Sequence, residues 1–323
     1  MINTLSQTYN KSLITQEITN LLFNKNNFIA DESILDDFIK SLDATEQTKE
    51  TYMKGARRFI AYCKDNNIDE VTEDDVMSYK NYLRNNYKPS SISMYITALK
   101  KLYKYLEKKG IRNLTTDLKG AKNTRNFKKD PLTIDQTKDL LSSIDTTTNE
   151  GKRNYALIKL LVATGLRTIE IERANIEDIR TLGTANVLYI QGKGREDKEE
   201  YVVLTYSVLK ALQDYLKTRT DAKPSDPLFI SYSDRTNGQR LKTRSIRNIV
   251  KKAYKNIGIV SDKITTHSLR HTAITLSLIG GATLQEAQNL ARHSNINTTL
   301  IYAHNIDRIH NNAESKIEAL LEN

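Results

Sequence analysis

Between Asn113 and Lys129 the apolar periodicity of the preceding stretch dissolves into Thr, Asn, Gly, Lys and Arg, and Pro131 stands just beyond. A chain of 323 residues broken in this way has to bury two separate cores, because single cores stop growing near ~250–300 residues and boundaries fall in exposed polar segments. The expected division is an N-terminal arm or extra helix over 1–30, a helical unit over 31–112, a linker over 113–129 and a second, larger unit over 130–323.

In the first unit Ile34, Phe38 and Leu42 recur at four-residue steps behind Asp31 as an N-cap. Tyr52, Ala56, Phe59, Ile60 and Cys63 form a second apolar stripe, with Lys54, Arg57 and Arg58 largely off it. Thr72 with Asp75 reads as a capping box opening a third helix through Val76, Tyr79 and Leu83. After Pro89 a fourth runs through Ile92, Tyr95, Leu99, Leu102 and Leu106, its other face carrying Lys100, Lys101 and Lys104. A lysine face is commonly just a solvated one, but two basic faces in one small unit suit a duplex backbone.

The second unit starts with helices around Thr133–Ile144 and Asn154–Thr164 and then turns at Gly165. The β-rich segments 186–190 and 201–204 flank a polar turn, Gly192 to Lys198, and read as a hairpin. Further helices are expected from about Ser207 and over Thr243–Ile257, Ser268–Ile279, Leu284–Ala291 and Thr298–His304, then a last one from about Ile306 to Leu321. The fold class is therefore mainly α with a small β-sheet or hairpin.

A net charge of +10 favours a polyanionic partner, because Lys and Arg gain affinity by releasing counterions from phosphates. No stretch approaches the ~18 apolar residues of a membrane span, and the N-terminus lacks the pattern of a secretory signal, so a cytoplasmic protein is expected. One cysteine, Cys63, and five histidines without an HExxH arrangement argue against a structural metal, and no cofactor is expected.

Five segments carry chemistry: Ala163-Thr164-Gly165-Leu166-Arg167, Gly192-Lys193-Gly194, Thr266-His267-Ser268-Leu269-Arg270-His271-Thr272, then His293, and nine residues later Tyr302. Breaking a DNA strand without metal needs a nucleophile, stabilisation of the non-bridging phosphate oxygens and a proton for the departing 5′ oxygen. Arg167 and Arg270 offer permanently charged forks matched to phosphate. His267, one turn before Arg270, is placed to accept the tyrosine proton, and Lys193 in its glycine-flanked turn to protonate the leaving oxygen. His293 can hydrogen-bond a phosphate oxygen, and Tyr302 attacks. Each residue also has a plainer use: Arg167 as a cap, His267 and Arg270 as a salt-bridging face, Tyr302 as one packing tyrosine among 17. The five segments in one order are harder to attribute to chance.

This constellation resembles the tyrosine recombinase, or phage integrase, family. There an Arg follows a Thr-Gly-Leu turn with a structural Glu three positions on, here Arg167 and Glu170. A Gly-Lys-Gly turn carries the catalytic lysine, here Lys193, and His-x-Leu-Arg-His-Thr is matched from His267 to Thr272, with His271 expected to pack. Leu290, His293 and Tyr302 match the last motif, but Arg292 stands where a Gly often precedes the histidine, which puts local packing in doubt.

The resemblance implies a two-domain, C-shaped DNA clamp whose 31–112 unit is a SAM-like core-binding domain and whose 130–323 unit is catalytic, ending in a helix that docks on a neighbouring protomer. It implies metal-independent transesterification through a 3′-phosphotyrosyl link and a Holliday junction. The partners implied are inverted-repeat duplex sites, a homotetramer and accessory DNA-bending proteins, in a nucleoid-associated setting. The role would be integration or excision of a mobile element, or Xer-type resolution. A type IB topoisomerase and a non-catalytic DNA-binding regulator are the alternatives. Lys54, Arg57, Arg58, Lys100, Lys101 and Lys104, and in the second unit Arg240, Lys242, Arg244 and Arg247, are the candidate DNA-backbone contacts.

Overall fold

The computed structural model describes residues 33–121, 130–192, 197–310 and 313–322. Its contacts divide the chain into two compact units, 1–126 and 127–323. Residues 1–32, including the proposed arm and the Asp31 cap, lie outside the described residues, as does Lys193.

Four helices build the first unit: α1 (Ser33–Lys40), α2 (Glu46–Asp65), α3 (Glu73–Asn86) and α4 (Pro89–Glu107). α2 and α4 pair most extensively, and Gly55 is why they can: a Cβ there would sit 2.3 Å from the Ala98 Cβ. Phe38, Phe59, Ile60, Tyr79, Leu83, Leu99, Leu102 and Leu106 fill the core between the four helices. α3 starts on the expected capping box, in which the Thr72 hydroxyl accepts from the Asp75 amide and the Asp75 carboxylate accepts from the Thr72 amide.

The first half of the expected linker is corrected. Thr115 and Leu118 are buried, Leu118 packs into the first core, and Ser93 donates to the Ala121 carbonyl at 3.3 Å. Leu114 and Leu118 are two apolar residues in a polar stretch, too few to establish a period, so the polar composition dominates the pattern. Residues 122–129 lie outside the described residues.

In the second unit α5 (Ile134–Ser142), α6 (Asn149–Thr164) and α7 (Thr168–Arg173) precede a three-stranded antiparallel sheet in the order β1 (Ile179–Leu182), β2 (Ala185–Ile190), β3 (Glu200–Val203). Then come α8 (Tyr206–Leu216), α9 (Thr243–Asn256), α10 (Thr266–Ile279), α11 (Leu284–Ala291), α12 (Asn297–His310) and α13 (Ala313–Leu321). β2 and β3 are the expected hairpin. β1 is an addition: three of its four residues are exposed, which leaves no alternation to detect, and Gly183 at φ 60 makes the tight turn into β2.

α6 begins five residues earlier than its apolar run because Thr148 caps it, accepting from the Gly151 amide. α12 continues to His310 instead of stopping near His304. The main core joins α6, α8 and α9 to β2 through Leu157, Leu161, Leu188, Leu212, Tyr215 and Ile246. α10 packs on α6, and α11 and α12 pack on α10, so the segments bearing the arginines, histidines and tyrosine converge.

Candidate active site

The site grows from two helix junctions. At the first, α6 ends on Gly165, whose φ of 61 turns the chain so that Arg167 stands at the N-cap of α7. Glu170, one turn on and fully buried, accepts from the Arg167 backbone amide at 2.7 Å and from its guanidinium at 2.9 Å. At the second, α11 ends at Ala291, Arg292 takes a left-handed conformation at φ 52, and His293 follows.

Arg270, 3% exposed on α10, ties the two junctions together by donating to the Gly165 carbonyl at 2.6 Å and to the Ala291 carbonyl. Burial, and then the charges of Arg167 and Arg292, pull its pKa down to about 10, so it is still a cation at neutral pH. Two carbonyl bonds leave most of its five N–H groups for another acceptor.

Three histidines surround this cation. His267 lies in the first turn of α10 and is exposed, yet partial desolvation and then the charges of Arg270 and Arg167 lower its pKa. His293 is paired through Nδ1 with the hydroxyl of buried Thr299 at 3.0 Å, and burial followed by Arg270 and Arg167 brings its pKa to about 4. His271 is also brought to about 4, by burial, then His267 and Arg270.

Tyr302 projects from α12 into a small cluster with Ile274, Ala287 and Ala291 and is 4% exposed. Its hydroxyl lies 2.6 Å from His271 Nδ1, and burial outweighs Arg270 to push its pKa up to about 12. The nucleophile candidate is therefore a neutral phenol in this state. The His267 and His271 rings meet edge to face at 4.8 Å, while His293 stacks 6.3 Å from Tyr302.

The geometry thus gathers Arg167, Arg270, His267, His293 and Tyr302, drawn from α7, α10, α11–α12 and α12. Three guanidinium groups, with Arg292, stand against one fully buried carboxylate, so the cluster is positively charged and suits a phosphate.

Residues 131–308 match the phage integrase family, and residues 34–113 match its N-terminal SAM-like domain. The chain belongs to the phage integrase family. It is an enzyme, a DNA strand-transferase. It is 32% identical over 245 residues to the tyrosine recombinase XerC of Caldanaerobacter subterraneus subsp. tengcongensis, a match spanning 73% of this chain and 66% of that protein. It is 31% identical over 277 residues to the TnP I resolvase of Bacillus thuringiensis, covering 82% and 92%. Its fold is that of the XerH site-specific recombinase bound to palindromic difH substrate in a post-cleavage complex, with a TM-score of 0.70 at 22% identity over 88% of this chain and 85% of that one.

In this integrase-family chain the sequence points to His267 for the tyrosine's proton and to packing for His271, whereas it is His271 that faces the hydroxyl in the structure. The signal was present, since His267, Arg270 and His271 at i, i+3 and i+4 share one helical face. Glu170, expected as the structural Glu after Arg167, does hold Arg167, but its second partner Arg292 comes from 122 residues on, and the tethering of His293 by Thr299 carried no such signal.

The basic residues divide. Lys54 and Arg57 are exposed and, with Arg58, line a groove of about 500 Å³ on α2; Arg58 also lies 5.5 Å from the centre of the Tyr87 ring. Lys101 and Lys104 are exposed on α4, and Lys100 is half-buried near Lys80, whose pKa is lowered by burial and then by Arg84, Lys119 and Lys100. Arg244 and Arg247 are exposed on α9, and Lys242 pairs with Glu172 at 3.4 Å. Arg240 is corrected from a backbone contact to an internal staple: its guanidinium donates to the carbonyls of Glu172 and Ala174 and to Asn175 Oδ1 at 2.8, 3.0 and 2.7 Å.

No helix among the described residues is long and apolar enough to cross a membrane.

Proposed function

We propose that this chain is a site-specific recombinase that cuts and rejoins duplex DNA through a phosphotyrosine at Tyr302. The observation that carries the reading is the Tyr302 hydroxyl held beside Arg270 and the histidines in a positively charged cluster. The Tyr302 oxygen attacks phosphorus and the bond to the 5′ oxygen breaks. Arg167, Arg270, His267 and His293 bind the non-bridging oxygens as charge builds on them. Lys193 protonates the departing 5′ oxygen, and His271, which faces the phenol, takes its proton. The phosphate itself makes His271 fit for this, because an anion among these groups raises the pKa that burial and cations depress. The bond energy stays in the protein–DNA link, so a free 5′ hydroxyl reverses the step on a partner duplex.

In this reading the exposed basic residues of α2, α4 and α9 contact DNA backbone. α13 leaves Ile317, Leu320 and Leu321 at 57%, 80% and 81% exposure, which fits a helix that docks on a neighbouring copy as four protomers exchange strands through a Holliday junction. The biological setting that fits best is movement of a mobile element or Xer-type resolution.

The test is a suicide half-site nicked beside the cleavage point. Wild-type protein is expected to give an SDS-resistant adduct in EDTA, and Tyr302→Phe none; an adduct in that variant would remove Tyr302 as nucleophile. On a plasmid with two sites, deletion or inversion products support recombination, while relaxation alone supports a topoisomerase.

A further inference from the structure

The residue between Ala291 and His293 is out of keeping with its backbone. Arg292 sits at φ 52, ψ 46, a conformation that costs a residue with a Cβ and is free to glycine. Among the described residues Asn67 is the other non-glycine with positive φ, and asparagine tolerates it better than arginine. The Arg292 side chain is also 9% exposed, and burial is the main cause lowering its pKa. A strained backbone and a buried cation at one position need a compensating partner.

The partner is Glu170. One Arg292 terminal nitrogen donates to Glu170 Oε2 at 2.9 Å, the other donates to the Leu290 carbonyl at 3.0 Å, and Nε faces a Glu200 oxygen at 3.9 Å. The same Glu170 holds the Arg167 backbone and guanidinium. With Arg167 alone, a fully buried carboxylate would cancel the charge that the phosphate needs. With Arg292 added, two guanidinium groups share the fully buried Glu170, while the second carboxylate near Arg292, Glu200, is 32% exposed and stands off at 3.9 Å, where solvent screens it.

We infer that Arg292 is a positioning residue: it neutralises Glu170 so that Arg167 keeps its charge for the phosphate, and it ties the Arg167 turn to the turn that presents His293. The contact spans α7 and the end of α11, the elements that Arg270 bridges through Gly165 and Ala291. Three successive residues thus serve the site: the Ala291 carbonyl holds Arg270, Arg292 holds Glu170, and His293 is set by Thr299. The inference rests on the phosphodiester-cleavage reading above.

The experiment is single-turnover cleavage of the suicide half-site at saturating protein by wild type, Arg292→Gly, Arg292→Gln and the double variant Glu170→Gln/Arg292→Gly, with Tm and gel-shift affinity for each. Arg292→Gly relieves the backbone strain but gives up a buried partner of Glu170, so it is expected to fold with a smaller loss of Tm than Arg292→Gln, and to cleave at least tenfold more slowly with little change in affinity. Arg292→Gln keeps the backbone strain and loses the charge, so it is expected to slow cleavage and lower Tm. The double variant is expected to recover most of the rate, because the carboxylate no longer competes for Arg167, and a purely structural bridge would not show that recovery. Wild-type cleavage rates in both single variants would overturn the role of Arg292 alone, as would a double variant slower than Arg292→Gly. Absence of adduct in wild type would instead take down the cleavage reading, and this inference with it.

Discussion

The Tyr302 hydroxyl and His271 Nδ1 lie 2.6 Å apart, joining helices α12 and α10 at the phenol proposed as nucleophile. With His271 held near 4 and Tyr302 near 12, the proton stays on the phenol until something changes the local charge.

Replacing His271 by Ala removes that partner. Cleavage of the suicide half-site at saturating protein is expected to slow by roughly 100-fold or more, the size of a general-base contribution. Gel-shift affinity should hold. Faster cleavage would instead identify the hydrogen bond as a restraint on Tyr302.

Acid should weaken the catalytic unit through the same histidines. His271 and His293 are brought to about 4 in the folded protein, whereas an unfolded histidine titrates near ~6.5. Between those values the unfolded chain binds more protons, so this contribution to stability is full above about 6.5 and is lost as pH falls toward 4. Tm measured from pH 7.5 to 4.5 should fall, and the fall should be shallower in His293→Gln.

Glu170→Ala leaves the guanidinium of Arg292 buried without its carboxylate and frees that of Arg167. Removing one partner of a buried ion pair costs about 3 kcal/mol or more. The midpoint of urea unfolding should drop accordingly, and Glu170→Gln should lose less.

Gly55→Ala tests the first unit separately. Its Cβ would meet the Ala98 Cβ at 2.3 Å, which forces α2 and α4 apart and should cost about 1–3 kcal/mol. The check is the urea midpoint of the first unit, with a Ser there expected to do no better.

Much of the fold is legible where a segment carries its own signal. The stripe Tyr52, Ala56, Phe59, Ile60 and Cys63 becomes the inner side of α2, and Thr72 with Asp75 starts α3. β1, the Thr148 cap and the inward packing of Leu118 were not legible, because an exposed strand has no alternation and two leucines in a polar stretch are too few to set a period.

The sequence by itself determined the two-unit, mainly helical chain with its hairpin, and the set of arginines, histidines and tyrosine around which a phosphate site forms, since both follow from local periodicity and residue chemistry. Tertiary structure alone decided that Tyr302 faces His271, that Arg167 and Arg292 share Glu170, and that Arg240 turns inward. Those contacts join residues far apart in the chain, and packing of α7, α10, α11 and α12 into one core sets which side chains meet, a choice that no local propensity encodes.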